Sequence, residues 1–221
     1  LFRSSDLAAE LTERAAGVHV AGYAQTKRGD GYVLFHSDNG PSLTSELPFR
    51  ELIFARQKLM LLAELRDLDP TDRITPIFEV LAGRGRHGEL LVEHPDSDEG
   101  KQLAGLARSF GNALRPALRK AGLLAAKDDP RRPRLHVCLL AGNHLLLALA
   151  DPADASDWPM GVPRLRLHRD APSRSALKLD EAFQVLLDDG ERSRLLRAGM
   201  TAADHDHVKT GREIHHAPRA C

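Results

Sequence analysis

Apolar side chains recur at helical spacing in the longer amphipathic stretches of the chain. One stretch, Leu7–Ala16, predicts a short helix near the start. The longest, Lys101–Leu124, carries apolar residues along one side, and Pro116 within it predicts a kink or a break near Arg115. The last, Ala171–Leu187, also predicts an amphipathic helix. Each of these helices has one apolar face to bury.

Shorter stretches alternate between apolar and polar residues, as strands do. The turn K-R-G-D-G at 27–31 joins two of them into a predicted hairpin. After the first helix, the predicted elements are strands over Val18–Ala24 and Tyr32–His36, a short helix around Ser42–Glu46 and a strand over Leu52–Leu65. This α-β-β-α-β order suits a ferredoxin-like α+β unit over residues 1–66, whose first strand would be cut short at residues 1–3.

A second α+β unit is predicted over residues 67–159. Its first helix has Asp69 or Thr71 as the predicted cap. The predicted elements, in order, are a helix over Ile74–Leu81, a glycine-rich turn at 83–88, a strand over Glu89–Glu93, the long helix, and strands over Leu135–Leu140 and His144–Leu149. Residues 151–158 predict an irregular loop.

Composition favours a soluble globular protein with a sizeable core. The 221 residues are 42% hydrophobic, and 31 basic residues balance 31 acidic ones. With only two cysteines, no disulfide framework is expected, and a cytoplasmic location fits. The longest apolar run, Leu145–Ala150, is too short to span a membrane, so no membrane partner is expected.

The neutral total conceals a basic second half. Residues 101–134 carry nine cations and two anions, and the cations of 160–178 also outnumber the single anion there. Arginine suits bidentate phosphate contacts, so RNA-backbone binding is a candidate function, with a solvated basic face as the alternative. The candidate RNA-binding residues are Arg131, Arg132 and Arg134, expected to be exposed in a proline-braced loop, together with Arg164, Arg166 and Arg174. Few exposed aromatic side chains are expected, which favours recognition of backbone and shape.

Two motifs are better explained by structure than by chemistry. The segment Gly83–Gly88 matches G-x-G-x-x-G, but a helix precedes it and a strand follows, the reverse of a dinucleotide-binding turn. Cys138 lies mid-strand in L-H-V-C-L-L, which predicts a buried structural thiol. Hydrolase motifs such as G-x-S-x-G are absent from the sequence.

The last residues, 205–221, contain four of the eleven histidines: His205, His207, His215 and His216. Their spacing fits no closed zinc module, so we expect a disordered tail and no metal site. A metal-dependent enzyme built on this tail is the weakest alternative for function.

Four ungapped blocks resemble one known family. They are E-L-P-F-R-E-L-I-F-A-R-Q at 46–57, D-R-I-T-P-I at 72–77, M-G-V-P-R-L-R-L at 160–167 and S-R-S-A-L-K-L-D-E-A-F at 173–183. In this order they resemble the FtsJ-like RNA 2′-O-ribose methyltransferases, and most of all the RlmM group. The resemblance runs from residue 1 to about Asp204 and then stops.

For the fold, this resemblance implies a THUMP-like RNA-binding unit over 67–159 after the ferredoxin-like unit. Residues 160–204 would be a linker and the first helix of a Rossmann-like methyltransferase domain. The glycine-rich donor-binding loop expected after Asp204 does not appear in 205–221, so the sequence predicts that the methyltransferase domain is truncated.

For activity, the resemblance implies methylation of a cytidine ribose in large-subunit rRNA, with S-adenosyl-L-methionine as the donor. Lys178 matches the first lysine of the family's catalytic Lys-Asp-Lys-Glu set, and Ser175 matches a position that contacts the donor. The expected protein is a monomer that binds rRNA and neither DNA nor membranes. With one catalytic residue of four, this chain is predicted to be inactive by itself; the alternative is a non-catalytic RNA-binding fragment or adaptor.

Overall fold

The computed structural model describes residues 4–163, 165, 175–187, 190, 191, 193 and 194. The chain divides into two compact units, residues 1–162 and 163–221. The helices are α1 (Ser4–Gly17), α2 (Gly40–Glu46), α3 (Ile74–Leu81), α4 (Asp98–Gln102), α5 (Ala104–Lys120) and α6 (Ser175–Leu186). The strands are β1 (Gly22–Gln25), β2 (Leu34–Ser37), β3 (Met60–Leu65), β4 (Glu89–Glu93), β5 (Arg134–Ala141) and β6 (His144–Ala150). The predicted α+β class is confirmed.

A four-stranded mixed sheet in the order β3-β6-β5-β4 organises the first unit. β5 and β6 form an antiparallel hairpin around the turn at 142–143, and β3 adds to the far edge of β6 in antiparallel fashion. β4 pairs with β5 in parallel, so both strands begin at the same edge of the sheet. That shared edge, at Glu89 and Arg134, positions the candidate site.

The core lies between one face of this sheet and helices α3 and α5. Alternate residues of β5 and β6 point into the core, as the period of two requires. On α5, Ala107, Phe110, Leu114 and Leu118 follow helical spacing and pack against the same face. The side chains with almost no exposure include Ile77, Leu81, Leu90, Leu114, Leu118, Leu135, Val137, Leu139, Leu145 and Leu147.

The N-terminal part of the first unit has the predicted α-β-β-α-β order, but its last strand joins the other sheet. β1 and β2 form a two-stranded antiparallel hairpin of their own. The strand predicted over Leu52–Leu65 covers only Met60–Leu65, so its predicted start is wrong. Within the excluded segment, the backbone amides of Ile53 and Phe54 donate hydrogen bonds to the Glu10 carboxylate and not to a neighbouring strand.

Two local predictions in the second half are also corrected. Of the kink or break predicted near Arg115, the break does not occur: α5 continues through Pro116 to Lys120, with Leu114 and Leu118 on either side packed in the core. The cap of α3 is neither Asp69 nor Thr71. Asp72 takes that role, since its Oδ1 accepts hydrogen bonds from the amides of residues 74 and 75.

The helix predicted within 171–187 is present as α6 in the second unit. Across the described residues, the structure contains no helix with both the length and the hydropathy needed to cross a membrane.

Candidate nucleic-acid interface

Three segments meet at the edge where β4 and β5 begin. They are the glycine-rich turn at 83–88, the end of α5 with the residues after it, and the loop at 126–133. Backbone hydrogen bonds join them: the His87 amide donates to Leu123 (2.9 Å), and the Gly88 amide donates to Pro133 (2.9 Å). In return, the Ala125 amide donates to the His87 carbonyl (2.9 Å). The edge is therefore a fixed surface built from parts distant in sequence.

This edge concentrates exposed cations. We call them the basic edge: Arg84, Arg86, Lys120, Lys127, Arg131 and Arg132, all of them exposed. The turn at 83–88 supplies the first two, α5 supplies Lys120, and the loop at 126–133 supplies the rest. Within the part of the chain that the structure describes, the first four of these cations take part in no ion pair. The basic edge can therefore attract a polyanion.

Glycine geometry places the arginines of the turn. Gly83 and Gly85 have φ angles of +74° and +79°, which only glycine adopts readily. A Cβ on Gly88 would collide with the Asp129 carbonyl oxygen. α3 precedes the turn and β4 follows it, so the predicted helix–turn–strand order, the reverse of a dinucleotide-binding turn, is confirmed. In this turn, Arg84 and Arg86 are both exposed. The Arg84 Nε donates to the Val80 carbonyl (2.9 Å).

Arg131 and Arg132 share one counterion, Asp129. The Arg131 Nε lies 3.0 Å and the Arg132 Nε 3.4 Å from its two carboxylate oxygens. Hydrogen bonds from Arg131, and the charge of both arginines, lower the pKa of Asp129. The Arg131 side chain nevertheless keeps 88% of its surface exposed. One carboxylate between two guanidinium groups leaves positive charge for a phosphate ligand.

Arg134 does not belong to this surface, and the prediction that it is exposed is wrong. It is the first residue of β5 and is buried. Its Nε contacts the Glu89 carboxylate (3.1 Å), and one terminal nitrogen donates to the Ser156 carbonyl (2.7 Å). Arg134 therefore ties the loop after β6 to the sheet, and we no longer consider it a candidate for phosphate contact.

Two arginines of α5 are also used internally, which reduces the basic surface expected from the cation count. Arg115 donates to the Leu90 carbonyl (2.8 Å) and Arg119 to the Ala125 carbonyl (3.1 Å). Both also lie within 4 Å of Asp128.

In contrast, Arg84 and Arg86 were missing from the predicted site. The alternation of glycine and arginine at 83–86 was the available signal, since it puts cations on a turn.

The other predicted site residues fall in the second unit. Lys178 is exposed on α6, and Ser175 is the first residue of that helix. Arg164, Arg166 and Arg174 lie outside the described residues, as do the histidines of 205–221. The predicted RNA-binding roles of these arginines, and the expectation that the histidine-containing tail forms no metal site, stay predictions.

A buried polar cluster lies at the other end of β4. The Glu93 carboxylate accepts hydrogen bonds from His136 Nδ1 (3.0 Å), from the Gln57 side chain (3.3 Å) and from the Met160 amide. Burial by itself raises the pKa of Glu93, but these donors and the charge of His136 outweigh burial and lower it. The cluster joins two of the sequence blocks, 46–57 and 160–167, so its role is architectural.

Neither thiol nor metal chemistry is supported at this cluster. Burial, with a smaller effect of the Glu93 charge, raises the pKa of the neighbouring Cys138 thiol to about 12, so the thiol stays protonated and unreactive near neutral pH. This agrees with the predicted structural role. Nowhere in the described part of the chain do three or more His, Cys, Asp or Glu side chains gather as a metal site would require.

Two protein-family models match the chain. One, the RlmM ferredoxin-like domain, matches residues 3–59, and the other, the N-terminal domain of ribosomal RNA large subunit methyltransferase M, matches residues 72–151. Together they cover more than half of the chain. The predicted ferredoxin-like fold is thereby confirmed for the first segment.

Curated relatives agree with these matches. Ribosomal RNA large subunit methyltransferase M of Xanthomonas oryzae pv. oryzae (strain KACC10331 / KXO85) is 64% identical over 199 residues, which are 90% of this chain and 57% of the relative. Those of Xanthomonas axonopodis pv. citri (strain 306) and Xanthomonas campestris pv. campestris (strain B100) are 65% and 64% identical over the same shares. The chain thus spans little more than half the length of these relatives.

The α+β fold and the two matched domains place this chain in a class of proteins named for rRNA methylation, at their N-terminal part. Within that class, it belongs to the ribosomal RNA large subunit methyltransferase M family.

Proposed function

We propose that this chain binds large-subunit rRNA for a methyltransferase that acts on a cytidine ribose 2′-oxygen with S-adenosyl-L-methionine as the donor. The observation that carries the proposal is the basic edge, found in a chain whose relatives are named for rRNA methylation. In this proposal the second domain, 67–159, acts as a THUMP-like RNA-binding unit in the cytoplasm.

The basic edge suits the phosphate backbone better than it suits base edges. Its cations are arginine and lysine on a fixed backbone, and arginine forms paired hydrogen bonds with phosphate oxygens. Such contacts set the position and orientation of the RNA without reading its sequence. Neutralised phosphates release counterions, so affinity must fall steeply with salt.

Lys178 and Ser175 are proposed as the contributions of this chain to catalysis. An exposed lysine on a helix can orient a ribose hydroxyl and favour loss of its proton, provided that the hydroxyl comes within hydrogen-bond reach. The glycine-rich turn at 83–88 does not fit the methyl donor, because the turn lies between a helix and a strand and Gly88 packs against Asp129.

Binding and catalysis are tested separately. For binding, the 221-residue chain is titrated with a fragment of 23S rRNA, with duplex DNA of equal length as competitor. We expect tight binding to the RNA, little competition by DNA, and a monomer in sedimentation. Equal binding to DNA would contradict the proposed RNA preference.

For catalysis, transfer of a labelled methyl group to 23S rRNA is measured with this chain and with a chimera. The chimera carries the remaining C-terminal residues of the Xanthomonas axonopodis relative. We expect the chimera to transfer the methyl group and the 221-residue chain not to do so. The Lys178→Ala substitution in the chimera should abolish the transfer. A chimera that binds RNA without methylating it would favour the adaptor alternative, and transfer by the 221-residue chain itself would overturn the predicted inactivity.

A further inference from the structure

The β1–β2 hairpin carries an aromatic stack on its surface. Tyr23 and His36 are directly opposite in the antiparallel register. Their ring centroids are 4.8 Å apart and the planes differ by 18°, so the rings are stacked. His36 is half-buried and its Nε2 lies 2.8 Å from the Gln25 side-chain oxygen, which fixes the imidazole. Tyr23 is the outer ring, with 62% of its surface exposed.

An exposed, pre-positioned tyrosine is a stacking platform for another planar ring. One side of the Tyr23 ring lies against His36, and the high exposure leaves area for a further ring to extend the stack. Both rings line a cavity of about 820 Å³, and apolar side chains of α2 and β3 form other parts of its wall. A flat partner of the size of a nucleobase can therefore enter beside the pair.

Charge on the same hairpin favours an anionic partner. Lys27 and Arg28 lie in the turn that follows β1, and both are exposed. In the portion of the chain described by the structure, neither side chain takes part in an ion pair. A planar platform and unpaired cations on one hairpin match an unstacked base and nearby phosphates, the combination that single-stranded nucleic acid offers.

We propose that Tyr23, stacked on His36, binds an unpaired base of the RNA, and that Lys27 and Arg28 contact the neighbouring phosphates. This inference rests on the proposed RNA-binding function and gives it a second contact point on the ferredoxin-like domain. It adds a base contact to the recognition of backbone and shape that is expected for the basic second half of the fold.

The test uses the 221-residue chain and a single-stranded RNA decamer, with an abasic decamer of the same length as a second probe. Stacking of one base on an aromatic side chain predicts that Tyr23→Ala weakens binding of the decamer roughly five- to one-hundredfold. Tyr23→Phe keeps the ring and should stay within about twofold of the wild type. The matched control is Ile53→Ala, which removes a still more exposed apolar side chain (77%) that does not line the cavity.

The abasic probe separates stacking from charge. The wild type should bind it about as weakly as Tyr23→Ala binds the normal decamer, and Tyr23→Ala should bind both probes alike. Lys27→Ala should weaken the binding of both the normal and the abasic decamer. If Tyr23→Ala binds the normal decamer as the wild type does while Arg84→Ala/Arg86→Ala binds it less tightly, the stacking site is wrong and the basic edge stands. If the wild type binds neither decamer nor rRNA, the proposed function itself fails.

A protein partner is the competing explanation of the exposed stack. If Tyr23→Ala leaves RNA affinity unchanged but abolishes self-association in sedimentation, the hairpin is a protein contact and the proposal is overturned.

Discussion

The four-stranded sheet region and the β1–β2 region of the first unit are stabilised in different ways. In the sheet region, a dozen large side chains from Ile77 to Leu147 have almost no exposure. In the β1–β2 region, residues 4–52, few hydrophobic side chains are buried. The leucines of this region, such as Leu7 and Leu52, each keep some exposed surface. The sheet region thus has a continuous core, whereas the hairpin region has little core of its own.

Polar contacts take the place of a core in the hairpin region. Lys58 donates to the carbonyls of Thr44 (2.9 Å) and Leu47 (2.7 Å) and pairs with Asp154. Glu10 accepts from the amides of Ile53 (2.7 Å) and Phe54 (3.1 Å). Such contacts fix the backbone without covering the surface, which leaves the exposed aromatic stack accessible. The difference teaches that apolar burial stabilises the sheet region, whereas polar contacts hold the hairpin region and leave its aromatic stack exposed.

The largest loss of stability should come from the core of the sheet region. Leu147 on β6 is fully buried, so Leu147→Ala removes apolar contacts and leaves a cavity, at a cost of about 2–5 kcal/mol. Leu61→Ala, on the partly exposed surface of β3, is the matched control and should cost below about 1 kcal/mol. Urea unfolding measures both, and equal losses would contradict the claimed difference.

A smaller effect is expected at Glu93, and it depends on pH. Because the folded-state pKa of Glu93 lies below its ordinary value of 4.5, its stabilisation is complete above that value. This stabilisation is lost as pH falls through the lowered folded-state pKa. Glu93→Gln should therefore cost about 2–3 kcal/mol at pH 7, and the difference from the wild type should narrow below pH 4.5. Unfolding curves from pH 7 to pH 3 test this, and a constant difference would contradict it.

The smallest effect is expected at Glu10, in the hairpin region. Glu10→Gln weakens two charge-assisted hydrogen bonds to the backbone and should cost about 1–2 kcal/mol. The loss should be local, with faster amide exchange at Ile53 and Phe54 and little change in β5 and β6. Glu13→Gln, at an exposed position of the same helix, is the control. If amide exchange became equally faster across the sheet, the two regions would unfold together, which would contradict the expected local loss.

Much of the fold could be predicted because its elements have strong local periodicity. The bounds of α3 and β4 and the β5–β6 turn follow from residues that are neighbours in sequence. The start of β3 could not be predicted, since a carboxylate on α1 takes the amides of Ile53 and Phe54. The cap of α3 was missed because Asp69, Thr71 and Asp72 are all plausible caps in sequence.

The candidate site was harder to predict, because charge in sequence does not show which cations are used internally. Arg134 lies two residues from Arg132, but β5 carries it into the sheet, where Glu89 and Ser156 hold it. The Tyr23–His36 stack depends on strand register, which the hairpin turn alone did not fix. Tertiary structure decided both outcomes.

The most direct test of the central claim is the salt dependence of rRNA binding. Affinity is measured from 50 to 300 mM salt for the wild type, for Arg84→Ala/Arg86→Ala and for Arg134→Lys. If the basic edge contacts phosphates, the double variant should lose about one unit of the slope of log affinity against log salt per arginine. Arg134→Lys should keep the wild-type slope even where it lowers stability. An unchanged slope in the double variant would contradict the assignment of RNA binding to this edge.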